Sequence, residues 1–343
     1  MHTGSYDNMN SISAMEKEIG YQVEDLPKLS LPKQANVDEC LIMGSGDSYV
    51  AALITQYVSD YRAACCTPVE VSINPKIVRN RRLYIVSVSG NTRSNILAAK
   101  KSRKLNVPTT AITARPESEL AKNCDQIIEL RYRSTGIPTS GTISFTSNVL
   151  CCLSLAGKMD SLDRLKGIYS QTRNEVEAAF TSDKDAPCIF LAEGILFPVA
   201  IYAALKMNEV FGQRSFAYHL EQFCHSPMFS IKRDDKIVIL GNGNKEYDFG
   251  SAEKKFNKTL RKMGYNCIYL DCATNNNDIN IKNNIDSNKI EQMSLTETLI
   301  KSIMIVQLYV VKLAERRRLK NCYFLDNKDL LSLSSAIIYD NNR

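Results

Sequence analysis

Short apolar runs alternate with stretches whose apolar residues recur at helical spacing, and that alternation sets the elements to expect. Cys40–Met43 is a brief apolar run. The polar turn Gly44-Ser45-Gly46-Asp47-Ser48 follows, and then Tyr49–Tyr61, where Val50, Leu53, Ile54, Tyr57 and Val58 recur with a helical period. The plan repeats: Leu83–Val88 predicts a strand, Ser89-Gly90-Asn91-Thr92 a turn, and Ser94–Leu105 a helix with Arg and Lys on its outer face. Thr109–Thr113 and Gln126–Leu130 predict further strands, and Thr146–Lys158 a long buried helix. Upstream, Met15–Leu26 predicts a short helix ended by Pro27.

The second half restarts the pattern. Cys188–Ala192 predicts a strand, Glu193-Gly194 a turn and Phe197–Phe211 a helix; Lys236–Leu240 a strand, Gly241-Asn242-Gly243-Asn244 a turn and Glu253–Met263 a helix. Gly46 and Gly194 are 148 positions apart, and Gly90 and Gly243 are 153 apart. Two turns recurring at nearly one interval predict duplicated α/β domains joined near Ser161–Ala186. Each would hold a mainly parallel sheet with helices on both faces. Asn275–Asn288, rich in Asn, Asp and Lys, predicts a surface loop, and Ser294–Arg317 a final long helix.

At 343 residues with 44% hydrophobic and 23% charged residues, the chain is long enough for two globular domains. The 43 Lys and Arg exceed the 37 Asp and Glu by six, which suits a small anionic ligand better than nucleic acid. The basic runs Arg79-Asn80-Arg81-Arg82 and Arg316-Arg317-Arg318-Leu319-Lys320 lack interleaved aromatics and read as solvated faces. The apolar run Ile195–Leu205 is 11 residues long and carries Pro198, too short to span a bilayer, and Met1–Ser13 lacks the apolar core of a signal peptide. The 11 cysteines form no C-x-x-C and read as buried thiols of a cytoplasmic protein. Three histidines, His2, His219 and His225, argue against a metal site. No cofactor is expected.

The two turns of the first half are dense in hydroxyls and precede helices. Glycine lets backbone approach a ligand, and helix-initial N–H groups attract an anion. Ser and Thr also cap helices, so one such turn is ambiguous. Two in neighbouring βα units favour phosphate. The corresponding turns of the second half carry no Ser/Thr cluster. Neither G-x-G-x-x-G from Gly44 nor a G-x-x-x-x-G-K-[ST] loop is present.

These loops resemble those of the sugar isomerase (SIS) domain family. Ser87–Thr92 resembles the family's S-x-S-G-x-T phosphate loop, and Gly44–Ser48 its first loop, with Asp47 in place of threonine. Ala204-Leu205-Lys206-Met207-Asn208-Glu209, Ala217-Tyr218 and His225-Ser226-Pro227 resemble the A-L-K-x-x-E, A-Y and H-G-P segments of the isomerase half of the glucosamine-6-phosphate synthases. Glu209 and His225 are 16 positions apart, as in the family. The resemblance runs from about Met15 to Leu331. It implies an N-terminal segment and helix at 1–36, a first SIS domain at 37–160, and a second at 187–343 with a C-terminal helix and tail.

What the resemblance implies about chemistry is specific. Gly46, Asp47, Ser48, Ser87, Val88, Ser89, Gly90 and Thr92 would hold a sugar phosphate. Glu209 would move a proton between C2 and C1 of an open-chain sugar, which needs one aimed carboxylate. His225 would open the ring, and in relatives it serves the neighbouring subunit, so a homodimer is expected. Lys206, one turn before Glu209, would tune the base or pair with it. The implied activity is isomerisation of a hexose 6-phosphate or amino-hexose 6-phosphate, coupled to deamination. Isomerisation without deamination and non-catalytic sensing of a sugar phosphate are the alternatives; nucleic acid and membrane are not expected partners.

Two departures bear on this. About 40 residues precede the first strand, too few for the synthases' glutaminase domain or for a helix-turn-helix. In the tail, Asp326–Ser335, the register of the family's Schiff-base lysine falls near Leu333, with Lys328 five residues away.

Overall fold

A computed structural model describes residues 9–179, 186–241, 249–273 and 293–339. The elements of the first half are α1 (Ser11–Asp25), β1 (Cys40–Met43), α2 (Asp47–Val58), β2 (Ala64–Cys66), α3 (Pro68–Ile73), β3 (Arg82–Val86) and α4 (Arg93–Lys104). Then come β4 (Thr109–Thr113), α5 (Glu119–Lys122), β5 (Gln126–Glu129) and α6 (Ile143–Leu155). The remainder comprises α7 (Leu165–Ala179), β6 (Cys188–Ala192), α8 (Phe197–Phe211), β7 (Ser215–His219), α9 (Leu220–His225), β8 (Lys236–Gly241) and α10 (Phe249–Lys262). It ends in β9 (Asn266–Asp271), α11 (Leu295–Arg316), α12 (Tyr323–Asp326) and α13 (Lys328–Ile338). This is an α/β protein with two parallel sheets flanked by helices.

The chain divides into two compact units. One holds the described residues of Met1–Lys158, Glu209–Phe211 and Val311–Arg343; the other holds Met159–Asn208 and Gly212–Val310. The first unit's sheet has the order β2-β1-β3-β4-β5, every pair parallel. Leu41 of β1 lies opposite Ala64 on one side and Leu83 on the other. The chain therefore leaves β1 in one direction and returns at β3 on the other side. That reversal opens a crevice beyond the carboxyl ends of β1 and β3, where doubly wound sheets bind ligands. The interior strands β1 and β4 are buried throughout, as a sheet covered on both faces requires. Leu41, Met43, Leu83, Ile85 and Ala111 pack with Ala98, Ala99 and Leu120 on one face. Helix α1 belongs to this unit: Ile12, Ala14, Met15 and Ile19 are buried, and the Cys322 N–H donates to Ser11 Oγ at 2.7 Å.

The second unit's sheet has the order β7-β6-β8-β9, also all parallel, which repeats the order of β2-β1-β3-β4. Ile189, Leu191, Ile237 and Ile239 pack with Phe223 and Leu260. On α11, Lys301 is buried and paired with Glu175 of α7 at 3.1 Å. The expected joining segment Ser161–Ala186 is largely α7, whose buried Leu165, Ile168 and Val176 give it a core face. The apolar stretch around Ile195–Leu205 extends over Gly194–Phe211, long enough to cross a membrane by length and composition, and just over half of it is buried inside the protein. The turn at Gly243 and the expected surface loop Asn275–Asn288 lie outside the described residues.

Candidate active site

Gly44–Ser48 follows β1 and Ser87–Thr92 follows β3, so both loops stand at the crevice where the sheet order reverses. Gly44 is demanded by closeness: a methyl there would lie 2.5 Å from the Ser48 carbonyl carbon and 2.8 Å from the Tyr49 nitrogen. Gly90 has φ +61°, and a methyl on it would overlap the Ser118 hydroxyl. Tight backbone thus brings each helix start to the sheet edge.

Helix α2 starts from Gly46, which has no side chain to cap with, and α4 from Thr92, whose hydroxyl makes no capping bond. Ser48 and Ser87 are buried, Ser89 and Thr92 half-buried. Ser89 Oγ accepts a 3.3 Å hydrogen bond from the Asn91 N–H. A cavity of about 500 Å3 opens beside this loop, lined by Ser89, Asn91, Ser118, the cations Arg115 and Lys122 and the carboxylates Glu117 and Glu119. Arg115, on the loop after β4, is a cation that sequence reasoning passed over.

A third loop, 134–142, lies in the same unit. Asp47 lies against it: a methyl on Gly141 would come 2.5 Å from Asp47 Oδ2. Ser140, 1% exposed, donates its hydroxyl to Glu209 Oε2. The last turn of α8, Glu209–Phe211, belongs to this same unit. Asp47, Gly141, Ser140 and Glu209 thus form one contiguous series. Ser140 lies in a Ser/Thr/Gly-rich stretch that the sequence reading did not single out; its hydroxyl density was the available signal.

In the second unit, α8 opens with Pro198 and stops at Gly212, whose φ of +62° forms a left-handed C-cap. Lys206 is 1% exposed, its Nζ 5.0 Å above the Tyr202 ring. His225 ends α9 with its side chain 70% exposed and Nε2 3.9 Å from Glu221 Oε1. A pair that sequence reasoning missed stands at the carboxyl ends of β6 and β7. His219 Nδ1 is 3.0 Å from Glu193 Oε2, the Glu221 N–H donates to Glu193 Oε1 at 3.0 Å, and Phe197 stacks on the imidazole at 3.7 Å. Glu193 thereby ties the start of α9, which carries His225, to β6.

Burial pushes the thiol pKa of Cys40 up to about 11 and those of Cys66 and Cys124 up to about 12; burial, then Glu193 and Glu221, raises that of Cys224. Among the described residues no three His, Cys, Asp or Glu side chains group to hold a metal ion. Lys328 opens α13 and is exposed.

Residues 35–156 match the SIS domain family. Glutamine–fructose-6-phosphate aminotransferase [isomerizing] of Escherichia coli (strain K12) is 24% identical over 275 residues, 70% of this chain and 44% of that protein. The chain thus spans less than half the length of the curated relatives it matches. Glucosamine-6-phosphate deaminase from Thermotoga maritima aligns over 90% of this chain and 94% of its own, with a TM-score of 0.67 and 21% identity. Tagatose-6-phosphate ketose/aldose isomerase from Escherichia coli aligns over 91% and 96%, with a TM-score of 0.67 and 14% identity. At these identities the structural likeness establishes the fold.

Proposed function

Taking as premise that the chain carries a SIS domain at 35–156 and is homologous to the isomerizing aminotransferases, we propose that it is a phosphosugar enzyme. It binds a hexose 6-phosphate or amino-hexose 6-phosphate and interconverts aldose and ketose, with deamination when C2 bears an amine. The observation that carries this reading is the pair of hydroxyl-rich loops at the sheet's reversal point, the second of them entering its helix at Thr92 with no capping bond. The phosphate sits on the helix starts of α2 and α4, held by Gly46, Ser48, Ser87, Ser89, Gly90 and Thr92 and the Val88 backbone, with Asp47 closing the first loop.

Glu209 is the base. It removes the proton from C2 of the open-chain sugar and returns it to C1 through an enediol, or an enolamine for an amino sugar. In the amino case C2 becomes an imine; water adds there and ammonia leaves, giving the ketose phosphate. His225 moves the O1 and O5 protons that open the ring. Its exposure supports service to the site of a second copy in a homodimer. Lys206, over Tyr202, steadies the helix turn that carries the base. The shared strand order of the two sheets supports a duplicated SIS architecture in which only the first copy kept its phosphate loops. The reading places the protein in the cytoplasm.

Incubation with glucosamine 6-phosphate, fructose 6-phosphate plus ammonia, glucose 6-phosphate and mannose 6-phosphate, followed by NMR, tests it. Ammonia release selects the deaminase. Interconversion without ammonia selects the plain isomerase, the activity the tagatose 6-phosphate enzyme's name describes. Binding with no turnover of any of the four would leave a sugar-phosphate sensor and overturn the enzyme reading.

A further inference from the structure

Helix α1 lies outside the segment that matches the SIS family, yet it reaches the candidate base through one buried carboxylate. Glu18 is 5% exposed and accepts hydrogen bonds from loop 134–142 at four residues. Ser134 Oγ donates at 3.0 Å, the Thr135 N–H at 3.0 Å and its hydroxyl at 3.1 Å. Thr139 Oγ donates at 3.3 Å and Thr142 Oγ at 2.9 Å. The same face of α1, one and two turns on, holds the loop's leading end. Tyr21 lies under the Arg133 guanidinium at 4.5 Å, and Asp25 accepts from the Arg133 N–H at 2.8 Å and its Nε at 2.9 Å.

A packing anchor would need apolar contact, not five polar hydrogen bonds converging on one buried carboxylate. Burying a carboxylate is costly unless its oxygens are satisfied, so this arrangement specifies the loop's conformation sharply. The two outer anchors, Thr139 and Thr142, bracket Ser140, whose hydroxyl goes to Glu209.

We propose that Glu18 is a positioning residue for Glu209: by holding Thr139 and Thr142 it fixes Ser140, and Ser140 fixes the carboxylate. The functional half of this rests on Glu209 being the base; the geometric half does not. Helix α1 is then part of the active-site scaffold rather than a leader to the domain.

The test uses the full-length protein with carboxyl-13C glutamate, the Glu209 resonance being assigned by its loss in Glu209→Gln. Ser140→Ala should move that resonance. Glu18→Gln should move it in the same direction, and the double variant should move it no further, because one bond is lost in every case. A Glu209 resonance unmoved in folded Glu18→Gln overturns the inference. Should Glu18→Gln fail to fold, Thr142→Val removes one anchor with little change of shape and carries the same expectation.

The second arm measures C2 proton exchange of glucosamine 6-phosphate in deuterated water. Both single variants should lose roughly tenfold or more in turnover, with sugar-phosphate affinity held within about twofold. Wild-type exchange that persists unchanged in Glu18→Gln also overturns the inference. A wild type that exchanges nothing, alongside a coupled Glu209 resonance, would instead sink the base assignment and keep the Glu18–Ser140–Glu209 coupling.

Discussion

Ser140 and Glu209 are 69 positions apart in the sequence, and the serine hydroxyl donates to the carboxylate Oε2. A carboxylate near the end of a helix can swing through several rotamers. A buried donor on one oxygen selects among them and sets the direction of the remaining lone pairs, which is what a proton shuttle between adjacent carbons demands. The serine belongs to a loop bordering Asp47, so the Glu209 carboxylate and the first hydroxyl loop border one piece of backbone.

The proposed role of Ser87–Thr92 in holding a phosphate separates binding from stability. Ser89→Ala with Thr92→Ala should weaken binding of a hexose 6-phosphate by about 1–3 kcal/mol, through lost hydrogen bonds to a charged group. The melting temperature should hardly move, because Thr92 makes no capping bond to lose. Calorimetry of binding and of unfolding checks both. Unchanged affinity with a lowered melting temperature would return these residues to a structural role.

How legible this was depends on where each element lies in its sheet. The interior strands Cys40–Met43, Thr109–Thr113 and Cys188–Ala192 announce themselves as apolar or β-branched runs because both faces are buried. The strands that escaped sequence reading, Ala64–Cys66, Ser215–His219 and Asn266–Asp271, are all edges and mostly half-buried; Asn266–Asp271 carries an apolar run at Cys267–Leu270 that was passed over. Glu209 was singled out through its helix motif. Ser140 and Glu18 were not, since a Ser/Thr-rich loop and a helical glutamate look the same whether solvated or joined at a site. Only the fold brings positions 18, 140 and 209 together.

The α1–loop contact carries a pH signature. Burial pushes the Asp25 carboxyl up, but the hydrogen bonds and charge of Arg133 outweigh it and hold it below its ordinary value of 3.8. A carboxyl depressed in the folded state stabilises above its unfolded pKa, and that contribution is lost as the pH falls through the folded value. Asp25→Asn should therefore melt below wild type at neutral pH, with the gap closing as the pH drops below about 4. Thermal melts across that range check it. A gap that stays constant down to about pH 3 would remove the ion pair as its cause.

Glu193 joins His219 to the start of α9, so its loss should be felt at His225. Glu193→Ala removes two side-chain bonds and should cost about 1–2 kcal/mol of stability, as for a lost helix cap. Turnover should fall further with ring-closed sugar than with an open-chain analogue. Equal losses on both would place the defect away from ring opening.

Hybrid sites test whether His225 is shared between two copies. Glu209→Gln and His225→Asn chains, each inactive alone, should regain part of their activity when mixed, because a dimer of one of each holds one intact site. Proven subunit exchange without recovery, followed by mass spectrometry of the mixed species, would mean that each chain carries its own histidine.

Glu209→Gln isolates the chemical step. The amide keeps the size of the side chain and can still accept from Ser140 through its carbonyl, so the loop has no reason to move. It has no carboxylate to take the C2 proton. Removal of a general base typically costs ~10²–10⁴-fold, and exchange at C2 in deuterated water should fall by about that much. Affinity for the sugar phosphate should hold, because in the proposed site its charge rests on the Ser87–Thr92 and Gly44–Ser48 loops rather than on Glu209. Lower turnover at unchanged affinity is the mark of a group used in the transition state. Exchange at the wild-type rate in this variant would take the proton away from Glu209, and Glu221, 3.9 Å from His225, would be the carboxylate to substitute next.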